Sequence, residues 1–250
     1  MIDIIIPIFN EGKQIVKLLE LFSQKIHSEI SVYLCYDDED DDVFKFKDEL
    51  SNFVFPVHFL KNDAKGPCEA VVTGLKKSDS DCKIVYPADD FLNIEILDQM
   101  YSEYSKNNAD LVVASRFIKG GSMKGCPLLK SILVRTASFT LFKLSSIPVR
   151  DASNGFRLFS DRLLKKVKIE SRLGFAYSLE LLVKCNRLKM KIVEIPAKWE
   201  ERSVGESSFK IFKWIKEYLK WYIYGLETFW LKKRNPININ EKNNSSWTIY

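Results

Sequence analysis

Three groups of carboxylates stand where apolar runs end. Glu11 follows Ile2 to Ile8, the run Asp37, Asp38, Glu39, Asp40, Asp41 and Asp42 follows Ser31 to Tyr36, and Asp89 with Asp90 follows Lys83 to Tyr86. A fourth run, Asp110 to Ser115, ends at Arg116. Carboxylates without His or Cys beside them suit two chemistries. One is binding a hard divalent cation, Mg²⁺ or Mn²⁺, that bridges to a diphosphate; the other is acid and base work by a carboxylate pair, as in glycoside hydrolysis. Plainer roles stand beside these. A run such as Asp37 to Asp42 also makes a solvated acidic loop, although its charges repel and pack closely only around a cation. Asp89 or Asp90 also serves as the N-cap of a helix beginning near Asn93. The coincidence of both groups at one sheet edge favours the ligand reading.

Other chemistries find little material. His27 lies at the end of a surface helix and His58 in a strand, so neither belongs to a constellation that would make a nucleophilic triad. The five cysteines, Cys35, Cys68, Cys82, Cys126 and Cys185, are odd in number and widely spaced, which argues against structural zinc or a disulfide framework. With no signal-peptide pattern at the N-terminus, these features point to a reducing, cytoplasmic setting.

The elements that must position the acids follow from periodicity. Strands are expected at Ile2–Ile8, Ser31–Tyr36, Phe55–Leu60, Lys83–Tyr86, Asp110–Ser115 and Lys191–Pro196, with a short extended piece at Phe156–Phe159. Helical spacing recurs in Ile15, Leu18, Leu19, Phe22 and Ile26, with Asn10 as the expected N-cap, then after Gly66 and Pro67, and in Ile94, Leu97, Met100, Tyr101 and Tyr104. Further helices are expected over Leu128–Leu144, Asp161–Val167 and Ser178–Leu188. Alternating strands and helices predict an α/β fold with a mostly parallel sheet flanked by helices, whose ligand site lies beyond the carboxyl ends of the strands.

The chain of 250 residues carries a formal charge of +5. Between Phe209 and Arg234 seven basic residues face two acidic ones, so this segment holds the whole excess and the remainder is neutral. A diffuse basic face for nucleic acid is therefore not expected. Ile211, Ile215, Tyr218, Leu219, Tyr222, Leu226 and Phe229 form one helical face of the segment, Lys210, Lys213, Glu217 and Lys220 the other, and Trp214, Trp221, Tyr224 and Trp230 add aromatics. Such a helix lies in the headgroup region of an anionic membrane, or packs on the protein core or a partner subunit. No run of 18 apolar residues suggests a spanning helix.

Several of these segments resemble the inverting glycosyltransferases of family 2, with the GT-A (Rossmann-like) fold, and especially the dolichyl-phosphate or polyprenyl-phosphate mannosyltransferase-like branch. Ile5-Ile6-Pro7-Ile8-Phe9-Asn10-Glu11 looks like the opening strand and its Pro-x-Tyr-Asn-Glu turn, with Phe9 for Tyr. Tyr36-Asp37-Asp38 matches the Asp-Asp of the second strand, although Glu39-Asp40 stands where Gly-Ser is usual. Asn62 to Gly74, with Lys65, Gly66 and Ala70, is similar to the Gly-containing segment and helix that follow. Asp110 to Arg116 with Gly120-Gly121, and Asp151 to Arg157, match two further blocks. Glu194-Ile195-Pro196 and Arg202 to Ser207 resemble the last strand and loop. Pro87 stands where the family's Asp-x-Asp has its first Asp, so Asp89 matches the second and Asp90 is the substitute for the lost ligand. Ser208 takes the place of a common basic residue, with Lys210 nearest.

The resemblance implies transfer of a sugar from a nucleotide diphosphate sugar, GDP-mannose or a UDP-sugar, to a polyprenyl phosphate. Residues 1–208 would form the catalytic domain, 209–234 the basic aromatic helix and 235–250 a polar tail. Pro7, Phe9, Glu11, Tyr36, Asp38 and Ala88 would surround the nucleoside. Asp89 and Asp90 would hold Mg²⁺ or Mn²⁺ at the diphosphate, Arg116 and Arg202 would meet donor phosphates, and Arg157, Arg202 and Lys210 the acceptor. A saccharide acceptor in surface glycan synthesis would need a base, for which Asp151 is the candidate, unless it is a turn residue bonding its own backbone. A membrane-associated sugar-nucleotide binder without activity is the reading from another class. A nucleotidyltransferase is disfavoured, since Pro7 to Glu11 is not a Gly-rich phosphate loop.

Overall fold

The computed structural model describes residues 1–200 and 211–232. The chain runs β1 (Ile2–Pro7), α1 (Gly12–Lys25), β2 (Ile30–Tyr36), a 3-10 turn (Asp42–Phe46), α2 (Lys47–Leu50), β3 (Val57–Lys61), α3 (Pro67–Lys77) and β4 (Cys82–Val85). It continues with α4 (Ile96–Asn107), β5 (Leu111–Ser115), β6 (Ser122–Lys124), α5 (Leu128–Leu144), β7 (Arg157–Ser160), α6 (Asp161–Lys166), α7 (Ala176–Arg187), β8 (Ile192–Pro196), β9 (Lys198–Glu200) and α8 (Ile211–Trp230).

Seven strands form one sheet in the order β3-β2-β1-β4-β7-β5-β8. Parallel pairing joins β1 to β2 and β4, β2 to β3, and β5 to β8, as the alternation of strands and helices predicts. The exception is β7, the extended piece around Phe156–Phe159. It lies inside the sheet, antiparallel to both β4 and β5. A second sheet pairs β6 with β9 in parallel.

Alternate side chains of β1 feed opposite faces, as the two-residue period of a strand requires. Ile2, Ile4 and Ile6 pack with Ile15, Leu18, Leu19 and Phe22 of α1 and with Leu97 and Met100 of α4. Ile5 joins Val71 and Leu75 of α3, Leu181 and Leu182 of α7, and Trp221 and Tyr224 of α8 on the other face. Helices therefore cover both faces, and the loops at the strand ends remain for chemistry.

Two local expectations need correction. Asn10 is not the cap of α1. Glu11 holds that position without a side-chain cap bond, while Asn10 sits in the left-handed region at φ 55°. Its backbone N–H donates to Asp41 at 2.9 Å and its Oδ1 accepts from the Asp42 backbone N–H, so the acidic loop holds it. The aromatics of α8 also differ from the expected face. Trp221 and Tyr224 are buried, and the exposed apolar stripe is Ile215, Leu219 and Ile223. The helix thus packs on the core with one face and presents an apolar surface with another.

Candidate functional site

In the sheet β1 lies between β2 and β4, and the chain builds outward from it in both directions. A crevice opens beyond the carboxyl ends of strands at such a switch point. The strands β1 to β5 run the same way, so the loops that follow them leave the sheet at this one edge, carrying Pro7 to Glu11, Asp37 to Asp42, Asn62 to Gly66, Ala88 to Asp90, and Arg116.

The carboxylates of the acidic run are held by backbone N–H groups, one amide and two lysines. Asp37 accepts from Asn62 Nδ2 at 2.8 Å and from the Gly66 backbone N–H at 3.0 Å. Asp41 takes the backbone N–H groups of Asn10 and Val43, at 2.9 and 3.0 Å. Asp42 Oδ1 accepts from the Gly12 N–H at 2.8 Å. Lys65 reaches Asp38 at 2.7 Å and Lys61 reaches Glu39 at 2.8 Å. The carboxylates thus tie the loops after β1, β2 and β3 into one rim. Backbone donors and two lysines offset part of the mutual repulsion of these charges.

The residues expected around the nucleoside divide into two sets. Phe9 is 71% exposed at the rim, a free aromatic face of the kind on which a base stacks. Pro7 and Glu11 are half-buried beside it, and Asp38 is exposed with its lysine. Tyr36 and Ala88 do not present side chains to a ligand. Tyr36 packs edge-on to Phe44 at 4.8 Å in the first core, and Ala88 is buried in the same core.

Asp89 and Asp90 follow β4. The Asp90 carboxylate is committed to its own turn. Its Oδ1 accepts from the backbone N–H groups of Leu92 and Asn93, at 2.9 and 3.1 Å, and its Oδ2 from Asn93 Nδ2 at 2.7 Å. Asn93 in turn bridges to both backbone groups of Lys198. Burial pushes the Asp90 carboxyl above the usual range, against the lowering effect of Asn93 and the two N–H donors. The carboxylate thus closes a turn of its own loop, and it is not the expected helix cap, since α4 begins only at Ile96 with Glu95 as its N-cap. Among the described residues no three His, Cys, Asp or Glu side chains gather to hold a metal ion. The half-buried Asp89 fits such an ion in the manner usual for Mg²⁺, one carboxylate with the remaining oxygens from phosphate and water.

At the end of β5, Arg116 forms a fork with Asp151. Nε donates to Oδ2 at 2.7 Å, Nη2 to Oδ1 at 2.9 Å, and the Arg116 backbone N–H also reaches Oδ2 at 3.0 Å. Ser153 Oγ donates to Asp151 Oδ1 at 3.0 Å and accepts from Arg116 Nη2 at 2.7 Å. Asp151 is fully buried. Burial alone would raise its carboxyl, but the charge and N–H groups of Arg116 outweigh it and hold the group below the usual range. Both oxygens face donors, so the candidate base is an ion-paired anchor. Glu194 Oε1 holds the same loop by accepting from the backbone N–H groups of Arg150 and Asp151, at 2.7 and 2.9 Å.

Arg157, expected at the acceptor, is buried at the start of β7. Its guanidinium donates to the carbonyls of Asn154, Ser178 and Ala152, so it knits the loop before β7 to α7 and does not reach a phosphate. Arg202 and Lys210, with the loop 202–207 and the tail 235–250, lie outside the described residues. The histidines stay structural, His27 against Asp98 at 3.1 Å and His58 stacked on Tyr33 at 4.7 Å between ring centroids. Burial pushes the thiols of Cys35, Cys68 and Cys82 up to about 12, which leaves them without nucleophilic thiolate at neutral pH. The bridge of Asn93 to Lys198 and the clamps of Ser153 on Arg116 and of Glu194 on Arg150 and Asp151 carry no local signal, because they join residues far apart in the chain.

The family model "Glycosyl transferase family 2" matches residues 3–168. A dolichol-phosphate mannosyltransferase of Pyrococcus furiosus is 28% identical over 231 residues, covering 90% of this chain and 63% of the relative. The chain thus spans less than two thirds of that protein. A dolichyl-phosphate beta-glucosyltransferase of Trichomonas vaginalis is 26% identical, with 86% of this chain and 70% of the relative covered. Among solved structures, glucosyl-3-phosphoglycerate synthase of Mycobacterium tuberculosis, in complex with Mn²⁺, UDP-glucose and glycerol 3-phosphate, superposes with a TM-score of 0.65 at 14% identity, covering 90% of this chain and 80% of that one. At that identity the likeness shows a shared fold.

Proposed function

Since the chain belongs to glycosyl transferase family 2, we propose that it transfers a hexose, with inversion, from a nucleoside diphosphate sugar to a polyprenyl phosphate. The observation that carries the acceptor class is the state of Asp151. A hydroxyl acceptor needs a base to take its proton, and the candidate for that, Asp151, is buried, ion-paired and weakly basic. A phosphate monoester brings an oxygen that is already anionic. That oxygen attacks the anomeric carbon, a new C–O bond forms, and the bond to the diphosphate breaks as the nucleoside diphosphate leaves. The relatives named for dolichol-phosphate mannosyl and dolichyl-phosphate glucosyl transfer support the same class.

In this reading Phe9 stacks the base, with Pro7 and Glu11 beside it, and Asp38 exchanges Lys65 for the nucleoside. Arg116, fixed by Asp151, offsets charge gathering on the phosphates. Asp89 would hold a Mg²⁺ or Mn²⁺ ion, which when bound would supply Lewis-acid stabilisation of the leaving group. The work is done at a membrane surface, where a lipid acceptor resides. Among the described residues no helix is long and apolar enough to cross a membrane.

The test is incubation with radiolabelled GDP-mannose and UDP-glucose, Mn²⁺ and a polyprenyl phosphate, followed by solvent partition. Label should move into the organic phase with one donor. Label transferred only to water-soluble saccharide would overturn the acceptor assignment.

A further inference from the structure

α5 is a 17-residue helix that the core hardly covers. Only Ser138 and Leu141 are buried, while Leu128, Leu129, Ile132, Leu133, Phe139 and Leu144 are exposed, Leu128 to 77%. A helix apolar on most of its faces is ordinarily buried, and a patch of this kind marks a surface that meets something else.

Charge identifies the occupant. Beside α5 lies a groove of about 400 Å³ lined by Phe117, Arg135, Phe139, Phe142, Lys143 and Arg150, three aromatic rings and three cations with no acid among them. Arg135 stands 4.6 Å from the Phe117 ring centroid, and Lys143 and Arg150 each stand 5.5 Å from that of Phe142. No carboxylate pairs with Arg135, Lys143 or Arg150 among the described residues. Their charge is therefore held in place on apolar faces and offered outward, the pattern of an interfacial surface for anionic lipid.

The surface is continuous with α8. Tyr222 donates to Thr140 Oγ1 at 2.7 Å, and Trp230 Nε1 donates to the Leu144 carbonyl at 2.8 Å. This joins α5 to the helix that exposes Ile215, Leu219, Ile223, Phe229 and Trp230.

We propose that α5 and the exposed stripe of α8 seat the protein on an anionic bilayer, with the Arg135–Lys143–Arg150 groove taking a phospholipid headgroup. The inference draws its purpose from the lipid-acceptor reading, but the binding is measured without turnover. The full chain is floated with vesicles of phosphatidylcholine, with and without phosphatidylglycerol. It should rise with the anionic vesicles and release as salt increases. Arg135→Glu and Lys143→Glu should each weaken binding about tenfold. Leu129→Ser with Ile132→Ser should abolish it, and Lys47→Glu, on α2, should leave it unchanged. Thermal melting identifies any variant that fails to fold, and Lys143→Gln repeats the test with a milder change. Equal binding to neutral vesicles, or wild-type binding by the α5 variants, overturns the proposal. So does a protein that ignores vesicles but dimerises through α5, seen as a concentration-dependent mass lost in Leu129→Ser. Transfer to detergent-dispersed polyprenyl phosphate by the unaltered chain tests the activity separately, so one reading can fail while the other stands.

Discussion

A carboxylate acts as a general base only while a lone pair points at a proton, and both oxygens of Asp151 point at Arg116 and Ser153. Asp151→Asn should therefore damage the fold before the chemistry. It leaves the Arg116 guanidinium without its partner in a desolvated place, a loss of about 3–5 kcal/mol measurable by urea denaturation. The sign with pH follows from the lowered carboxyl. Its stabilising contribution is full above the ordinary carboxylate value of about 4 and is lost as pH falls through the lower folded value. The gap in stability between wild type and Asp151→Asn should thus close in acid, below about pH 4. A gap that stays constant there would assign the effect to packing. The two aspartates after β4 should separate as clearly. Asp90→Asn keeps an acceptor for the Leu92 and Asn93 N–H groups and sheds a charge that burial disfavours, but it sets its NH2 against the Asn93 NH2, so stability should fall by about 1–2 kcal/mol. Asp89→Asn should melt like wild type and lose about 10²–10³ in turnover with Mn²⁺, the range for losing one electrostatic stabiliser of the transition state. Equal losses of turnover in both variants would return Asp90 to the metal site.

At the scale of elements, α1 and the acidic loop meet at Gly12. A Cβ there would lie 2.7 Å from the Asp42 carbonyl oxygen and 2.9 Å from its carbon. Gly12→Ala should push the loop away from the rim, costing about 1–3 kcal/mol in thermal stability and raising the KM for the nucleotide sugar more than it lowers kcat. The same region shows what the sequence could and could not tell. The strands were legible because their apolar runs are local, and α5 begins and ends at the expected Leu128 and Leu144. The N-cap alternative for Asp90 did not hold, since α4 begins only at Ile96 with Glu95 at its cap, but the local turn that Asp90 makes was within reach because its donors lie two and three residues on. The left-handed Asn10 was not, because its partners Asp41 and Asp42 are about thirty residues away. The same distance hid the Arg116–Asp151 fork and the interior place of β7. The residue types gave the right strand ends, and only the tertiary fold showed which carboxylates are spent on holding loops together.

Across the whole molecule, the basic aromatic segment and the neutral remainder are built into each other at α8. Trp221 is buried in the second core, donates from Nε1 to Ser171 Oγ at 2.8 Å, and lies under the Lys184 ammonium at 4.7 Å. Lys184 is itself buried, paired with Glu180 at 2.6 Å and Glu170 at 2.9 Å, while Glu180 receives the backbone N–H groups of Glu170 and Ser171. Two residues earlier, about 200° around the helix, Leu219 is 52% exposed. The two faces of one helix should therefore answer to different measurements. Trp221→Ala opens a cavity and removes a donor from this network, so it should cost about 3–5 kcal/mol in urea denaturation. Leu219→Ser should stay within about 0.5 kcal/mol of wild type in the same experiment while losing affinity for anionic vesicles. If Trp221→Ala unfolds at the wild-type urea midpoint, α8 is an appendage and its buried face contributes nothing to the fold. If Leu219→Ser instead lowers the midpoint and leaves vesicle binding intact, the assignment of the two faces is reversed.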